Sequence, residues 1–378
     1  MDEPLLPECT QALFPIKAER AYLNNASIAP MSLPVIAAVD AFMADVRDFG
    51  RNNYPDWCRR ADTEVKERIG KLIGAHKSEI AFIKNTTEGL VTVANGLKWR
   101  EGDNVIIADI EYPSNVYCWM NLRRRGVETR WVKNRAGRIQ VEDLAEAIDH
   151  RTRLISLSAV QFSNGFRQDL ALTSELCRKR GVLLNLDAIQ WLGALNMDLA
   201  AYHVDFLSAG GHKWLLAPIG TGIFYCRRDA LDLLEPPNVG YHSVDKGEDH
   251  MDYDLAFRPN AGRFEEALVN FPGIWGLDAA MQLHLAVGSK KTEQHIGSLI
   301  RLAAEELQKR DCEILSPRGV EEWSGILSFR DPRRPPEAIV QRLFDAKVDA
   351  AVRAGAIRIS PTIYNDTADI EALLDALG

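Results

Sequence analysis

The stretch VLLNLDAIQWLGALNMDLAAYHVDFLSAGGHKW, residues 182–214, decides how this chain folds. An apolar run at 182–186 ends on Asp187, and a second run at 206–208 leads into Gly210-Gly211-His212-Lys213. Short apolar runs without alternation suit strands buried on both faces, as in parallel sheets. Runs of the same kind lie at 80–83, 105–108, 154–160 and 222–226. Helix-period segments separate most of them, such as 170–180 with Gly181 at its end. That alternation predicts an α/β fold, a mainly parallel sheet covered by helices. Ligands of such sheets sit beyond the carboxyl ends of the strands, so chemistry is sought in the residues after each run.

Upstream, Ser32 and Pro34 open a predicted helix whose stripe is Val35, Ile36, Val39, Phe42, Met43 and Val46. A second carries Val65, Ile69, Leu72 and Ile73 and stops near Gly74. Over residues 235–262 the text turns Pro-rich, acidic and aromatic without a period, which marks a long functional loop or a boundary. A helix-rich tail follows, with strand-like 325–329 and 356–360 and a last helix opened by Asn365-Asp366. The expected division is a large domain, 26–262, and a small α+β domain built from 1–25 and 263–378.

The chain has 378 residues, enough for two domains at roughly 150 each. Hydrophobic residues make up 46% and charged residues 26%, which argues against disorder, a collagen-like fibre and a membrane bundle. Lys plus Arg number 45 against 53 Asp plus Glu, a formal net charge of −8 without a basic block, so no nucleic-acid partner is expected. The opening MDEPLLPECTQALFPIKAER, residues 1–20, has neither a basic nor an apolar targeting region. Six cysteines, at 9, 58, 118, 177, 226 and 312, never form a C-x-x-C pair, which argues against a metal site and a disulfide framework and for a reducing cytoplasm.

Asp187 alone reads as a helix N-cap, and Lys213 alone as a solvated loop lysine. Together, at the ends of neighbouring runs, they offer a pair that chemistry needs: an amine of lowered pKa for covalent work on a carbonyl, and a carboxylate for the ring nitrogen of a heterocyclic electron sink. Asn85-Thr86-Thr87-Glu88-Gly89 opens a helix after the run at 80–83, where small polar residues either cap the helix or cradle a phosphate. Tyr112, in Glu111-Tyr112-Pro113-Ser114-Asn115, either stacks on a planar ring or packs in the core.

The order of these stations resembles a family. N-T-T-E-G (85–89), E-Y-P-S-N (111–115), S-N-G-F-R-Q-D (163–169), D-A-I-Q (187–190), G-H-K-W (211–214) and R-I-S-P-T-I-Y-N (358–365), preceded by Y-L-N-N-A-S (22–27), are similar to the class V aminotransferase group of fold-type I pyridoxal-phosphate enzymes. That group includes cysteine desulfurases, kynureninase-like enzymes and isopenicillin-N epimerase-like proteins, and the likeness spans nearly the whole chain. It implies pyridoxal 5'-phosphate as cofactor, Lys213 as the lysine that carries it and Asp187 as partner of the pyridine nitrogen. It also implies Gln190 and Asn164 at the ring hydroxyl, Thr86, Thr87 and His212 at the phosphate, Tyr112 stacked on the ring, and Arg358 with Asn25 at the substrate. Tyr364-Asn365 is read mostly as helix capping.

Three departures stand out. Gly210 occupies a place that often holds a Ser or Thr phosphate ligand, and Ala267-Leu268 replaces a Gly followed by Ser or Thr that reaches the partner subunit's phosphate. No cysteine follows Cys312, whereas desulfurases carry a nucleophilic cysteine on a loop ahead of the carboxylate arginine. The resulting expectation is an enzyme acting at Cα of an amino acid or related amine: an aminotransferase first, a β-eliminating carbon–sulfur lyase second, an epimerase behind it. A non-catalytic sensor is disfavoured, since such regulators append a DNA-binding extension. The expected assembly is a homodimer, with the 235–262 loop, including Tyr241 and His242, crossing the interface.

Overall fold

The computed structural model describes residues 7–245, 251 and 253–378. Residues 246–250 and 252 of the long loop, and the first six read for targeting, lie outside the described residues. The chain enters through β1 (Ala21–Tyr22) and then builds a seven-stranded sheet from β2 (Ile80–Ile83), β3 (Asn104–Ala108), β4 (Glu128–Val132), β5 (Thr152–Ser158), β6 (Leu183–Asp187), β7 (Phe206–Gly210) and β8 (Gly222–Cys226). Their order is β2-β8-β7-β6-β5-β3-β4, and only β8 runs against the others. Every residue of β2, β3, β7 and β8 is buried, as runs covered on both faces require. Each buried Val, Ile, Leu or Phe there contributes about 1.5–3 kcal/mol relative to exposure.

β4 was not expected. Its sequence, ETRWV, has no apolar run because it is the edge strand, with only Val132 buried. The rest of the mainly parallel sheet falls where the runs predict it.

A four-stranded antiparallel sheet forms the small C-terminal unit: β9 (Glu313–Ile314), β10 (Leu327–Arg330), β12 (Ala351–Arg353) and β13 (Ala356–Ile359), ordered β12-β13-β10-β9. Between them β11 (Val348–Asp349) pairs in parallel with β1, so the N-terminal segment is stitched to this unit. Helix Phe271–Val287 is buried on nearly all sides and packs against helices Leu33–Phe49 and Lys66–Ile73. Among the described residues no helix is long and apolar enough to cross a membrane.

Two local readings from sequence are settled by the side chains: what covers one apolar stripe, and what caps the last helix. In helix Leu33–Phe49 only Val35 and Phe42 of the stripe are buried, while Ile36, Met43 and Val46 are exposed. Tyr364 and Asn365 do not cap the last helix. Asp366 does, through a reciprocal capping box with Asp369, whereas the Tyr364 hydroxyl donates to Asn25 Oδ1 at 2.8 Å and Asn365 Nδ2 donates to the carbonyl of Tyr22.

Candidate active site

Five chain segments converge beyond the carboxyl ends of the parallel strands around a cavity of about 420 Å³. Its wall includes Thr86 and Thr87 after β2, Tyr112 after β3, Phe162 after β5, Asp187 at the end of β6 and Gln190 beyond it, and His212 and Lys213 after β7. The small unit contributes Arg353 and Arg358, and the N-terminal segment Ser27. Eight of the ten residues expected from sequence are therefore together.

β6 delivers Asp187 as its last residue. Oδ1 accepts the N–H of Ile189 at 3.0 Å. Burial pushes its proton affinity well above the ordinary carboxylate value, while that hydrogen bond and the charge of Lys213 pull the other way. Lys213 lies in the turn after β7, which closes with Leu216 N–H on the Lys213 carbonyl at 2.9 Å and sets Leu216 at φ 58°. Burial lowers the proton affinity of its amine, and Arg358 and Arg353 lower it further against the opposing pull of Asp187. Lys213 Nζ stands 5.8 Å from the centre of the Tyr112 ring, whose edge contact with Phe162 spans 5.1 Å.

Helix Thr86–Gly96 points its start at the cavity. Asn85 caps it by accepting the Glu88 N–H at 3.0 Å, and Thr86 Oγ1 accepts the Gly210 N–H at 2.9 Å, which fastens the helix start to the end of β7. Gly89 permits the approach: a Cβ there would stand 2.2 Å from Ser208 Oγ. Thr87 Oγ1 donates to Ser114 Oγ at 2.8 Å, so two hydroxyls meet beside the free N–H groups of the first turn. Burial, then Lys213, lowers the proton affinity of His212 and so favours its neutral imidazole.

Arg358 is 2% exposed. Nη1 donates to the Phe162 carbonyl at 2.7 Å and Nη2 to Ser27 Oγ at 2.8 Å, while its buried Nε has no partner. Arg353 reaches the same Ser27 oxygen at 3.4 Å. Neither guanidinium has a carboxylate partner among the described residues, and a cation buried in that state, as Arg358 is, is poised for an anion, with half-buried Arg353 beside it.

The structure does not bring Asn164 and Asn25 into the cavity wall. Asn164 is spent elsewhere, donating to the Gly137 carbonyl in the turn after β4 and accepting from the Phe166 N–H of its own loop. Asn25 is fully buried between Ser360 and Tyr364, where it clasps the N-terminal segment so that Ala26 and Ser27 face the cavity. Gln190 does line it, but its carbonyl accepts the Trp214 indole N–H and one amide hydrogen goes to Ala26 O, leaving a single N–H for a ligand. Sequence reasoning missed Ser27, Phe162 and Arg353. The signal for Arg353 is register: Ala351 pairs with Arg358, so Arg353, two residues on, shares its face.

These donors fit a phosphorylated pyridine aldehyde, with an amine, a carboxylate without an ion-pair partner, hydroxyls at a helix start and two guanidiniums around one cavity. A family model described as aminotransferase class V matches residues 21–373, and the chain belongs to that family of pyridoxal-phosphate enzymes. It is 32% identical over 352 residues to a probable cysteine desulfurase of Methanothermobacter thermautotrophicus, covering 90% of this chain and 85% of the relative. An uncharacterized aminotransferase of Bacillus subtilis is 25% identical, with 98% and 97% covered. Among solved structures, the apo cysteine desulfurase of Thermococcus onnurineus NA1 superposes with a TM-score of 0.91 at 23% identity, over 100% of this chain and 98% of that one. The cystine C–S lyase C-DES, in complex with its product cysteine persulfide, gives 0.89 at 24% identity over 96% and 98%.

Proposed function

We propose that this chain is a pyridoxal-phosphate enzyme that removes the Cα proton of an amino acid and, in its main reading, transfers the amino group. The observation that carries this is the convergence of Lys213, Asp187 and Arg358 on one cavity, each without an ion-pair partner among the described residues. Bound pyridoxal phosphate supplies an electron sink for the charge left on Cα. Lys213 holds the cofactor and then takes the Cα proton, for which its lowered proton affinity suits the amine. Asp187 holds a proton at the ring nitrogen. Tyr112 would cover one ring face, Gln190 would offer one N–H to the ring hydroxyl, and Thr86, Thr87 and His212 would hold the phosphate. Arg358, seconded by Arg353 through Ser27, orients the substrate carboxylate.

A second reading, β-elimination at a carbon–sulfur bond, is favoured by relatives named as desulfurases. Sulfur transfer through an enzyme thiol is not supported. Among the described residues no cysteine lines the cavity, and between Arg353 and Ala356, ahead of the carboxylate arginine, the chain makes only the two-residue turn Ala354-Gly355. The assembly we infer is a homodimer, and the compartment a reducing cytoplasm, in keeping with five free cysteines among the described residues.

The test is a single-turnover spectral screen of the loaded enzyme over amino acids, with products assayed. A keto acid without ammonia or sulfide supports transamination, whereas pyruvate with sulfide supports the lyase. Lys213→Ala must abolish the borohydride-trappable adduct; an adduct persisting at another lysine sinks the assignment.

A further inference from the structure

Glu111, one residue before Tyr112, is a buried acid that the proposed chemistry does not use. It is 7% exposed and forms no ion pair among the described residues. Its Oε1 accepts the Ser158 N–H and Gln161 Nε2, each at 2.8 Å. Its Oε2 accepts Asn115 Nδ2 at 2.9 Å and the Ser158 hydroxyl. The orientation of Asn115 is forced, because its Oδ1 accepts from the Trp119 indole, which can only donate, at 2.9 Å. Each carboxylate oxygen therefore faces at least one obligatory donor, the Ser158 amide on one side and the Asn115 amide on the other.

The network continues under the cavity. Ser156 donates to Asn115 Oδ1 at 2.6 Å and accepts from Asn185 Nδ2 at 2.9 Å. Ser158 pairs across the sheet with Asp187 and Ser156 with Asn185, so all four share one face of β5 and β6. Above that face, the loop of Glu111 carries Tyr112. The segment after β5 carries Phe162, whose ring meets Tyr112 and whose carbonyl holds Arg358.

We propose that Glu111 is a positioning residue of this site: its ionised carboxylate clamps the Tyr112 loop to the Ser158–Phe162 segment and places a fixed negative charge in the polar layer that contains Asp187. The inference rests on the pyridoxal-phosphate reading above. Burial raises the proton affinity of Glu111 above the ordinary carboxylate value, and the four donors, which favour the ionised form, pull against it. Its charge in turn favours the protonated state around Asp187. The other titratable or charged groups around this layer are Lys213 and His212 after β7, Arg353 and Arg358 from β12 and β13, and Cys118 on the helix of Asn115, whose thiol burial pushes up to about 12.

The test is a pH titration of the visible absorption band of the loaded enzyme without substrate, on wild type, Glu111→Gln, Glu111→Asp and Gln161→Met. Gln keeps the size of Glu111 but removes its charge and sets an NH₂ against an obligatory donor. Its band midpoint should fall by about one pH unit, the scale of one buried charge near a titrating group. Glu111→Asp should keep the midpoint within a few tenths of a unit while slowing turnover. If Glu111→Gln does not fold, Gln161→Met, which deletes one donor and raises the carboxyl's proton affinity, should still lower the midpoint by a smaller amount. A folded Glu111→Gln with wild-type midpoint and turnover overturns the proposal, as does an unmoved midpoint in Gln161→Met where Glu111→Gln is lost. Failure of the underlying reading looks different: wild type itself shows no visible band and no borohydride adduct.

Discussion

Two arginines on one serine hydroxyl set the electrostatics of this cavity. Arg358 gives its two terminal nitrogens to Phe162 and Ser27 and keeps its Nε unpartnered, so a carboxylate bound there completes a planar fork that lysine does not offer. Arg358→Lys should therefore cost about 2 kcal/mol of transition-state binding, roughly 30-fold in kcat/KM, measured with whichever amino acid turns over. The same cations act on Lys213, where Arg358 and Arg353 both disfavour the ammonium. Neutralising Arg353 as Arg353→Gln should raise the pH at which the cofactor-free protein captures pyridoxal phosphate. A midpoint that stays put or falls contradicts this sign. That Asp187 and Lys213 reach one cavity was legible in sequence, because Asp187 ends one apolar run and Lys213 lies in the glycine-flanked turn after the next. Arg353 was not, because it shares a face with Arg358 only through strand register. Asn25 and Asn164 sit in motifs at the right stations, yet their amides are consumed by backbone and side-chain partners that no linear pattern reveals.

At the scale of elements, the site depends on how closely helix Thr86–Gly96 lies on β7. Gly89→Ala places a Cβ 2.2 Å from Ser208 Oγ and 2.8 Å from Ser208 Cβ, and overpacking of this kind costs about 1–3 kcal/mol. Urea unfolding should show that loss together with weaker retention of the cofactor, since Thr86 and Thr87 move with the helix. Adding Ser208→Ala removes the nearer clash and an unpartnered buried hydroxyl, so it should restore part of both. A double variant no more stable than the single one would refute this packing account. The strands of the sheet interior were legible for the reason that makes them rigid, complete burial of apolar runs. β4 escaped because an edge strand is half solvated, and the two-residue turn at Ala354-Gly355 is visible only once φ values of 49° and 70° are known.

For the whole molecule, the unburied half of helix Leu33–Phe49 bears on assembly. Leu33, Ile36 and Met43 follow one another at helical spacing on its outer side, and Val46 and Phe49 carry the apolar surface round its end; all five are exposed. The sequence pattern put Ile36, Met43 and Val46 on one apolar stripe, and periodicity reports such a stripe without saying what covers it. Leu268, also exposed, borders a second cavity with Tyr241, His242 and the end of this helix. Several exposed large apolar residues on one face mark an interaction surface, and a second copy of the chain is the occupant we infer. The loaded protein should sediment as a dimer at micromolar concentration, and Met43→Glu combined with Phe49→Glu, two solvent-facing changes that leave Val35 and Phe42 in place, should shift it towards monomer. Activity should fall with dimer content on dilution if residues of the 235–262 loop reach the neighbouring site. A wild-type monomer with full cofactor and turnover would show instead that one chain builds the whole site and that the apolar face serves some other contact.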